Sequence, residues 1–596
     1  MAAKLKNSIV SAFKMHGLTL RSEASRYLVE VLAPVEASEK EQWLDKIIDI
    51  VQKQSLASAM VGREECESAV QECNAEQDDD SDSILNVIDA FSVPRFTYVK
   101  ERKKFIPDAN LEKAGPRLHG IPTDKGAMFR DRYTVIHQRT LRNDLFTPPA
   151  IGSIEADSNK FQLKPVEYLV GSTSKVGNVL VLGMLVQLKE GKWYIEDPTG
   201  HVQLDLSEAT FQPGLFTENS FVLAEGWYED GTFYVEAFGL PPPEKAETTR
   251  SYFGNINFFG GPSSIQVKSS NRLAQIEAEN TDAMFVLLSD VWLDHPKVME
   301  KLNVLFKGYS DFPPTAFIIC GNFLSSPKVL SHAKTLTDCF RDLGNMLSNY
   351  PKIVSSSQLI FVPGSNDPGH STILPRPSIP NSITEAFRKK VPSAVFTSNP
   401  CRIQYCTQEI VIFREDIVTK LCRNCVKFPA DGNVPVHFAK SLISQAHLCP
   451  LPLHVCPVYW AYDCSLRLYP LPDVIVTADK FDPFTTNAVS TTVVNPYFII
   501  YRDLFLGLTS ALKSITLCQS KSKTVKSLMR WTELSTIPPS FSLQKSTYPN
   551  LLKRIHLILL HLSLWINIVL NVDYFFNEIS YMIHTDTGKV NRIESF

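Results

Sequence analysis

The chain has 596 residues, of which 44% are apolar and 10% aromatic, enough for several domains with substantial cores. A formal net charge of −3 excludes a global basic field that would draw the protein onto nucleic acid. The N-terminus lacks the apolar core and small-residue cleavage site of a secretory signal. The twelve cysteines are therefore expected to be free thiols in a reducing compartment.

Apolar residues recur at helical spacing near the N-terminus and predict a helical module over residues 1–75. They include Ile9, Phe13, Leu28, Leu32, Ile47, Ile48 and Val51. Residues 76–165 are expected to form an acidic linker and connecting helices. The run Glu76–Asp82 is acidic and solvated.

Three stretches of this linker region have distinct sequence patterns. Ile84–Phe91 is predicted to be a short helix. Lys100–Lys104 is interpreted as an exposed basic loop, with a phosphate contact or a nuclear-import element as the alternative. Arg130–Phe146 is predicted to be an amphipathic surface helix rather than a DNA-reading helix.

Between Lys175 and Pro241 the pattern changes to strands and predicts an OB-fold over residues 166–250. Asp230-Gly231 marks a hairpin turn. Aromatic side chains here could stack on the bases of a single strand; they are Trp193, Tyr194, Trp227, Tyr228 and Tyr234. Carboxylates lie beside them at Glu190, Glu196, Asp197, Glu225, Glu229 and Asp230. This acidity favours a protein-facing or structural barrel, with single-strand binding as the alternative.

Strands and helices alternate over residues 283–484, within a domain predicted at residues 251–496. Three apolar strands run into loops at Phe285–Asp290, Ala316–Asn322 and Leu359–Asp367, and a fourth ends at Asp482. Clear helices are predicted at Pro296–Lys307 and Ser331–Tyr350. Ligands at strand ends of such a layered architecture are typical of metallophosphoesterases, which hold two cations with His, Asp and Asn. Here Trp and Phe occupy some of the loop tips, and neither can bind a cation.

Specific strings carry a closer resemblance. Among them are FRDRYTVIHQRTLRNDLFTPP, LKEGKWYIEDPTGHVQLDLS, YFGNINFFGGPS, FVLLSDVWLD, NPCRIQYCTQEIVIFRED, LPLHVCPVYWAYD and ADKFDPFTT. With them the chain resembles the B-subunit family of the eukaryotic replicative DNA polymerases, in particular its epsilon branch, up to Pro496. The resemblance implies a multidomain α+β protein. Its parts are an N-terminal helical module like the lid of an ATPase, an OB-fold β-barrel, and an inactivated calcineurin-like phosphoesterase, a two-sheet α/β sandwich.

The resemblance also implies where the metal site of active relatives has been lost. Asp290 corresponds to the first metal-binding aspartate, and Trp292 stands where its paired histidine would be. Asn322 stands at the bridging aspartate, where losing the anionic oxygen weakens the hold on two cations. These changes predict that no catalytic residue, metal or cofactor remains.

The later loops have changed in the same way. Ser365 and Asn366 replace the Asn-His pair and remove the histidine that would protonate a leaving group. Asp479 and Phe481 replace the two histidines of the last loop, and His447 survives at a family position. Asp290 and His447 are expected to maintain the fold through hydrogen bonds, with a residual metal-dependent phosphoesterase as the alternative.

The cysteines offer one rival metal site. Cys401, Cys406, Cys422 and Cys425 could form a four-thiolate zinc site if the two pairs met in space. The first pair frames a predicted strand, and no glycine turn follows Cys425 to shape a knuckle. Free thiols are therefore the preferred interpretation.

What the resemblance implies is a non-catalytic accessory subunit in the nucleus. It would scaffold the catalytic subunit of DNA polymerase epsilon, through that subunit's C-terminal region, during leading-strand replication. Small histone-fold subunits, the replicative helicase and DNA would be reached through the complex. No membrane partner is expected.

Residues 497–596 depart from the family. The apolar segment Ile555–Val572 approaches the ~20 residues needed to cross a bilayer. It is either a tail anchor or part of an aberrant or alternative C-terminus, and its two His and two Asn favour the second. In that case the sandwich would lose its closing strand and expose a sheet edge.

Overall fold

The computed structural model describes residues 2–496 except for 34–39, 54–59, 64, 71–82, 108–117, 148–160, 255, 264–265, 281, 327–330 and 369–371. The acidic run Glu76–Asp82 and all predictions for residues 497–596 lie outside the described residues. Within the described part of the chain, no helix is long and apolar enough to span a bilayer.

The described part of the N-terminal module includes α1 (Ala2–Met15), α2 (Ser22–Leu32) and α3 (Lys40–Lys53), and residues 65–70 are also helical. A short parallel ladder joins β1 (Thr19–Leu20) to β2 (Met60–Val61). All seven apolar residues named for this region are buried in one cluster. The prediction of a helical module with this core is confirmed.

The segment predicted as a helix at residues 84–91 is instead a strand, β3 (Leu85–Asp89), followed by a 3-10 turn. Its side chains alternate, because Leu85 and Val87 pack on one cluster and Ile88 on another. A hairpin of β4 (Phe96–Val99) and β5 (Lys104–Pro107) follows. The prediction of a helix failed because apolar residues at this spacing also occur in a strand that packs against apolar clusters on both faces.

Helix α4 (Pro122–Arg142) begins eight residues before the predicted start, and a short α5 (Val166–Val170) follows it. The prediction of a surface helix is wrong, since Arg132 and Arg139 are 6% and 2% exposed. Arg139 donates to the carbonyl oxygens of Ile443 and Ser444. Charged residues are buried here because fixed acceptors surround them.

A closed barrel follows. Its strands are β6 (Val176–Lys189), β7 (Lys192–Asp197), β8 (Gly200–Asp205), β10 (Phe221–Glu229) and β11 (Thr232–Gly239), with the short β9 (Thr210–Phe211) on β11. The order is β10-β6-β7-β8-β11, and β11 pairs back with β10. Strands β8 and β11 are parallel. This five-stranded closure confirms the predicted OB-fold.

The predicted hairpin turn in the barrel is confirmed. Asp230 and Gly231 have φ values of 48° and 79°. Two consecutive residues at positive φ form the turn type that matches the twist of antiparallel strands.

Two helices, α6 (Ala246–Phe253) and α7 (Asn271–Glu279), lead to a four-stranded parallel sheet. Its strands are β12 (Phe285–Leu288), β13 (Ala316–Cys320), β14 (Gln358–Val362) and β15 (Val395–Phe396). Helices α8 (Pro296–Tyr309), α9 (His332–Leu347), α10 (Pro351–Ser356) and α11 (Asn381–Arg388) pack on one face of this sheet. The predicted strands and both predicted helices are confirmed here.

A second sheet of six strands has the order β19-β20-β18-β17-β16-β3. It contains β16 (Cys401–Tyr405), β17 (Gln408–Ile412), β18 (Val474–Val476), β19 (Phe484–Ala488) and β20 (Thr491–Asn495). Helices α12 (Ile417–Arg423) and α13 (Val434–Gln445) share a core with it. The predicted fourth strand is β18, which ends at Val476 rather than Asp482.

The two sheets pack face to face. Apolar side chains from both sheets form one buried cluster, in which Ile318 and Ile360 meet Ile403 and Ile412. With helices on the outer faces, residues 285–495 form a layered α/β sandwich. The carboxyl ends of its parallel strands carry the candidate site.

Candidate functional site

Asp290 and Arg414 form a fully buried ion pair at the strand ends, with both side chains 0% exposed. Asp290 lies two residues after β12 with φ 50°, and Arg414 lies two residues after β17. The Nη2 atom of Arg414 donates to both carboxylate oxygens of Asp290 at 2.8 Å. Both carboxylate oxygens of Asp290 therefore face a guanidinium.

The rest of the Arg414 guanidinium is also satisfied. Its Nε donates to the Gly321 carbonyl at 2.6 Å, and Nη1 donates to Asp416 Oδ1 at 2.8 Å. Burial alone would lower the pKa of Arg414, but the carboxylates of Asp290 and Asp416 raise it above its usual value. The site thus contains a permanent cation held between two carboxylates.

Asn322 joins this pair. Its backbone N and Nδ2 donate to Asp290 Oδ1 at 3.3 and 3.0 Å. Its Oδ1 accepts from the Asn366 backbone N at 2.8 Å. The Asn322 amide is thus used within the network, and three of the predicted site residues, Asp290, Asn322 and Asn366, are brought together.

Asp367, in the loop after β14, fixes the neighbouring backbone. Its carboxylate accepts from Phe323 N at 2.8 Å and from Gly364 N at 2.7 Å. Burial raises the pKa of Asp367, and these two N–H groups oppose that change. A Cβ on Gly321 would lie 1.9 Å from Asp367 Oδ2, and one on Gly364 would lie 2.4 Å from Asn322 Oδ1. The loops therefore approach as closely as glycine allows.

The Asp479 carboxylate accepts hydrogen bonds from two backbone N–H groups. Its Oδ2 accepts from Val418 N in the first turn of α12, and Oδ1 accepts from Phe481 N, both at 2.8 Å. A carboxylate at a helix N-terminus is stabilised by the unpaired N–H groups there. Burial nevertheless raises the pKa of Asp479 to about 6, against the effect of these N–H donors.

The remaining loop residues are not arranged as ligands. Trp292 is half-buried against the cluster on the helix-bearing face of the parallel sheet. Phe481 packs beside the second sheet, with its ring centroid 6.3 Å from that of Phe484. Ser365 is half-buried between Gly364 and Asn366.

His447 belongs to a different cluster. Its Nδ1 accepts from Cys449 N at 3.0 Å, so Nε2 carries the proton and donates to Asp463 Oδ1 at 3.2 Å. Arg132 of α4 donates to the same carboxylate, with Nη2–Oδ1 at 2.5 Å and Nε–Oδ2 at 3.1 Å. Burial and the positive charge of Arg132 lower the pKa of His447. The histidine is thus a neutral link between carboxylate and backbone.

The site does not fit the pair of cations that active phosphoesterases hold. Both oxygens of Asp290 are occupied by Arg414, and no group of three or more His, Cys, Asp or Glu suited to a metal occurs among the described residues. A second cation beside the Arg414 charge would be repelled. The arrangement can hold loops in place, and no hydrolytic step follows from it.

The cysteine pairs lie in different environments. Cys401 is in the core between the sheets, and Cys406 directly follows the same strand, β16. Cys422 packs on the helix side of the second sheet, and the Cys425 thiol donates to the Cys422 carbonyl. Among the residues that the structure describes, no four-thiolate cluster forms.

Sequence reasoning missed Arg414, Arg132 and Asp463. The string FRED at residues 413–416 directly follows the apolar run Ile410–Ile412, and consecutive charges at the end of such a run could have identified Arg414. Arg132 stood within a helix whose arginines were expected to be exposed. Its partner lies 331 residues away, so no local pattern could have paired them.

The aromatic side chains of the barrel largely make contacts within the protein already. The Trp227 and Tyr234 rings stack with centroids 4.0 Å apart and 12° between planes. Lys175 Nζ lies 3.7 Å from the Trp227 centroid. Trp193 packs against the barrel core. A base would have to displace these contacts in order to stack on Trp227.

Three protein-family sequence profiles match consecutive parts of the chain. The profile of the DNA polymerase epsilon N-terminal domain matches residues 1–73, and that of the OB-fold domain of DNA polymerase epsilon subunit 2-like proteins matches 122–242. The profile of the B subunits of DNA polymerases alpha and epsilon matches 285–486. Their order follows the helical module, the barrel and the sandwich.

Individual relatives agree. The chain is 56% identical to DNA polymerase epsilon subunit 2 of Mus musculus and of Homo sapiens over 495 residues, which is 83% of this chain and 94% of each relative. It is 41% identical to DNA polymerase epsilon subunit 2 of Drosophila melanogaster, over 82% of this chain and 93% of the relative. The chain therefore belongs to the DNA polymerase epsilon subunit 2 family.

Proposed function

We propose that this chain is a non-catalytic accessory subunit of DNA polymerase epsilon that scaffolds the catalytic subunit in the nucleus during leading-strand replication. The observation that carries the proposal is 56% identity to DNA polymerase epsilon subunit 2 over 495 residues. The surrounding geometry supports it, because the strand-end site holds loops together and provides no ligand set for hydrolysis.

The proposal includes a division into domains. It comprises an N-terminal helical domain at 1–75, connecting elements at 76–165, an OB-fold at 166–250 and an inactive phosphoesterase-like domain at 251–496. The layered sandwich, and the pairing of Asp290 with an arginine in place of metal, support the last assignment. Residues 497–596 would be an atypical C-terminus.

The catalytic subunit would dock on a platform made jointly by the barrel and the sandwich. Gln445 of α13 donates from Nε2 to the Phe221 carbonyl and accepts from Phe221 N through Oε1, both at 2.7 Å. Leu215 N donates to Ser441 Oγ at 2.7 Å. Buried hydrogen bonds of this kind fix one element against the other. They support a rigid surface to which the C-terminal region of the catalytic subunit can bind.

The other partners are proposed through the complex. Small histone-fold subunits and the replicative helicase would assemble with it, and DNA would be held largely by the complex. No membrane partner is included.

The test is co-expression of the full chain with the C-terminal region of the catalytic subunit, followed by size-exclusion chromatography. We expect a stable one-to-one complex. A parallel run with the chain ended at Pro496 serves as the control for the tail. If neither form co-elutes with the partner, the proposal is wrong; if only the shortened form does, the tail interferes with assembly.

The two alternatives have less support. A residual phosphoesterase would show manganese-dependent hydrolysis that disappears in Asp290→Ala, yet Asp290 is committed to Arg414. A single-strand-binding barrel would lose affinity in Trp193→Ala and at high salt. Trp193 packs against the barrel core, and the Trp227 ring is already stacked on Tyr234. Both contacts argue against this alternative.

A further inference from the structure

The hairpin β4–β5 carries a concentrated positive charge at its tip. Four cationic side chains, Lys100, Arg102, Lys103 and Lys104, are exposed within five residues, and Glu101 is the one carboxylate among them. The four side chains have no hydrogen bond or ion pair with another described residue. In a chain of net charge −3, this tip is a local exception.

The tip is held in a defined shape. The ladder pairs Val99 with Lys104 and Tyr98 with Phe105, and the Lys103 backbone N donates to the Lys100 carbonyl at 3.4 Å. Lys103 has φ 51°, which closes the turn. The cations are therefore close together on a folded hairpin rather than spread along an extended loop.

An aromatic cluster anchors the hairpin to the body of the protein. Phe105 is 4% exposed. Its ring centroid lies 4.9 Å from that of Phe253, 5.1 Å from that of Phe258 and 5.9 Å from that of Tyr469. Because the base is fixed in the core, the charges project from a rigid support. Like charges held this close repel one another, and a polyanion would relieve that repulsion.

The composition of the tip indicates which polyanion. Protein interfaces depend on buried aromatic or apolar anchors, but the apolar side chains of Phe96–Ile106 are buried or half-buried at the base. Contacts with nucleic-acid phosphates need cations alone and do not select sequence. We propose that the Lys100–Lys104 tip contacts the phosphate backbone of nucleic acid directly.

The experiment measures binding of the full chain to a labelled 30-base-pair duplex by fluorescence anisotropy between 50 and 200 mM NaCl. In the variant Lys100→Ala/Arg102→Ala/Lys103→Ala/Lys104→Ala we expect about 10- to 100-fold weaker binding at 100 mM salt. The slope of log affinity against log salt should fall by about 3, since each lost phosphate contact removes close to one unit. A variant with arginine at the three lysine positions should keep both the affinity at 100 mM salt and the salt slope of the parent chain.

The matched control removes four exposed lysines elsewhere, in Lys189→Ala/Lys192→Ala/Lys297→Ala/Lys307→Ala, and so changes net charge equally. This variant should bind nearly as well as the parent chain. The proposal is overturned if the two variants lose equal affinity, if the tip variant binds unchanged, or if the parent binds an acidic peptide but no duplex. The assay uses the chain without the catalytic subunit, so its failure would not affect the proposed scaffold.

Discussion

Two buried arginine–carboxylate pairs use the same chemistry for different tasks. Arg414 and Asp290 join loops within one sandwich and are both 0% exposed. Arg132 and Asp463 join helix α4 to the sandwich across 331 residues of sequence, with 5% and 6% exposure. The first pair lies at the strand ends and includes the Asn322 amide, whereas the second includes a third charged or polar side chain, His447. The comparison indicates that buried charge here fixes geometry, both within a domain and between domains.

The largest effect is expected at the first pair. Replacing Arg414 with Met leaves the Asp290 carboxylate buried without a counter-charge, which should lower the free energy of unfolding by about 3–5 kcal/mol. Denaturant unfolding followed by tryptophan fluorescence measures it. The double variant Arg414→Met/Asp290→Asn removes both charges and should recover part of the loss, since asparagine tolerates the positive φ at 290. Equal instability of single and double variants would contradict this account.

Loss of the second pair should cost less. In Arg132→Ala the Asp463 carboxylate keeps its hydrogen bond from His447, so we expect a decrease of roughly 2–4 kcal/mol. Arg130→Ala is the matched control on the same helix, and because its side chain is exposed it should change stability by no more than about 0.5 kcal/mol. If both changes have the same small effect, the ion pair between Arg132 and Asp463 contributes nothing to stability.

The two regions should respond to pH in opposite directions. The pKa of His447 is lowered in the folded protein, so the unfolded chain binds more protons just below pH 6.5, and its contribution to stability falls as pH drops. The pKa of Asp479 is raised from 3.8 to about 6. The folded chain therefore binds more protons between those values, and this contribution rises as pH drops through 6.

Thermal unfolding between pH 7 and pH 5 separates these contributions. His447→Gln should remove the loss of stability on acidification and leave the gain, while Asp479→Asn should remove the gain and leave the loss. Each substitution should alter the change in the free energy of unfolding between pH 7 and pH 5 by about 1–2 kcal/mol. This is the smallest of the predicted effects. Parallel profiles for the two variants would contradict the assignment.

The sequence predicted elements whose signals are local. The turn at Asp230-Gly231, the helix α8 and the strands leading to Asp290 and Asn322 all follow from nearby residues. Prediction from the sequence failed where the structure of a segment depends on a partner that is distant in the sequence. Ile88 lies opposite Arg402 in the second sheet, so the strand at Leu85–Asp89 depends on residues more than 300 positions away.

The candidate site was predicted in outline for the same reason. Strand-end positions brought Asp290, Asn322 and Asn366 together as expected, because parallel strands place their carboxyl ends at one edge. His447 was expected to maintain the fold through hydrogen bonds, and it forms them with Asp463 and the Cys449 backbone, away from the Arg414 network. The cation at Arg414 was not anticipated, since the absence of ligand residues does not indicate which side chain pairs with Asp290.

The guanidinium of Arg414 is synthesised with the chain. A metal centre must be loaded after translation, competes with other ions and can be stripped by chelators. A covalently attached cation has none of these dependences and keeps its charge across the whole physiological pH range. The positive charge beside Asp290 therefore does not depend on the loading of a metal ion, and an excess of zinc or manganese cannot exchange with it.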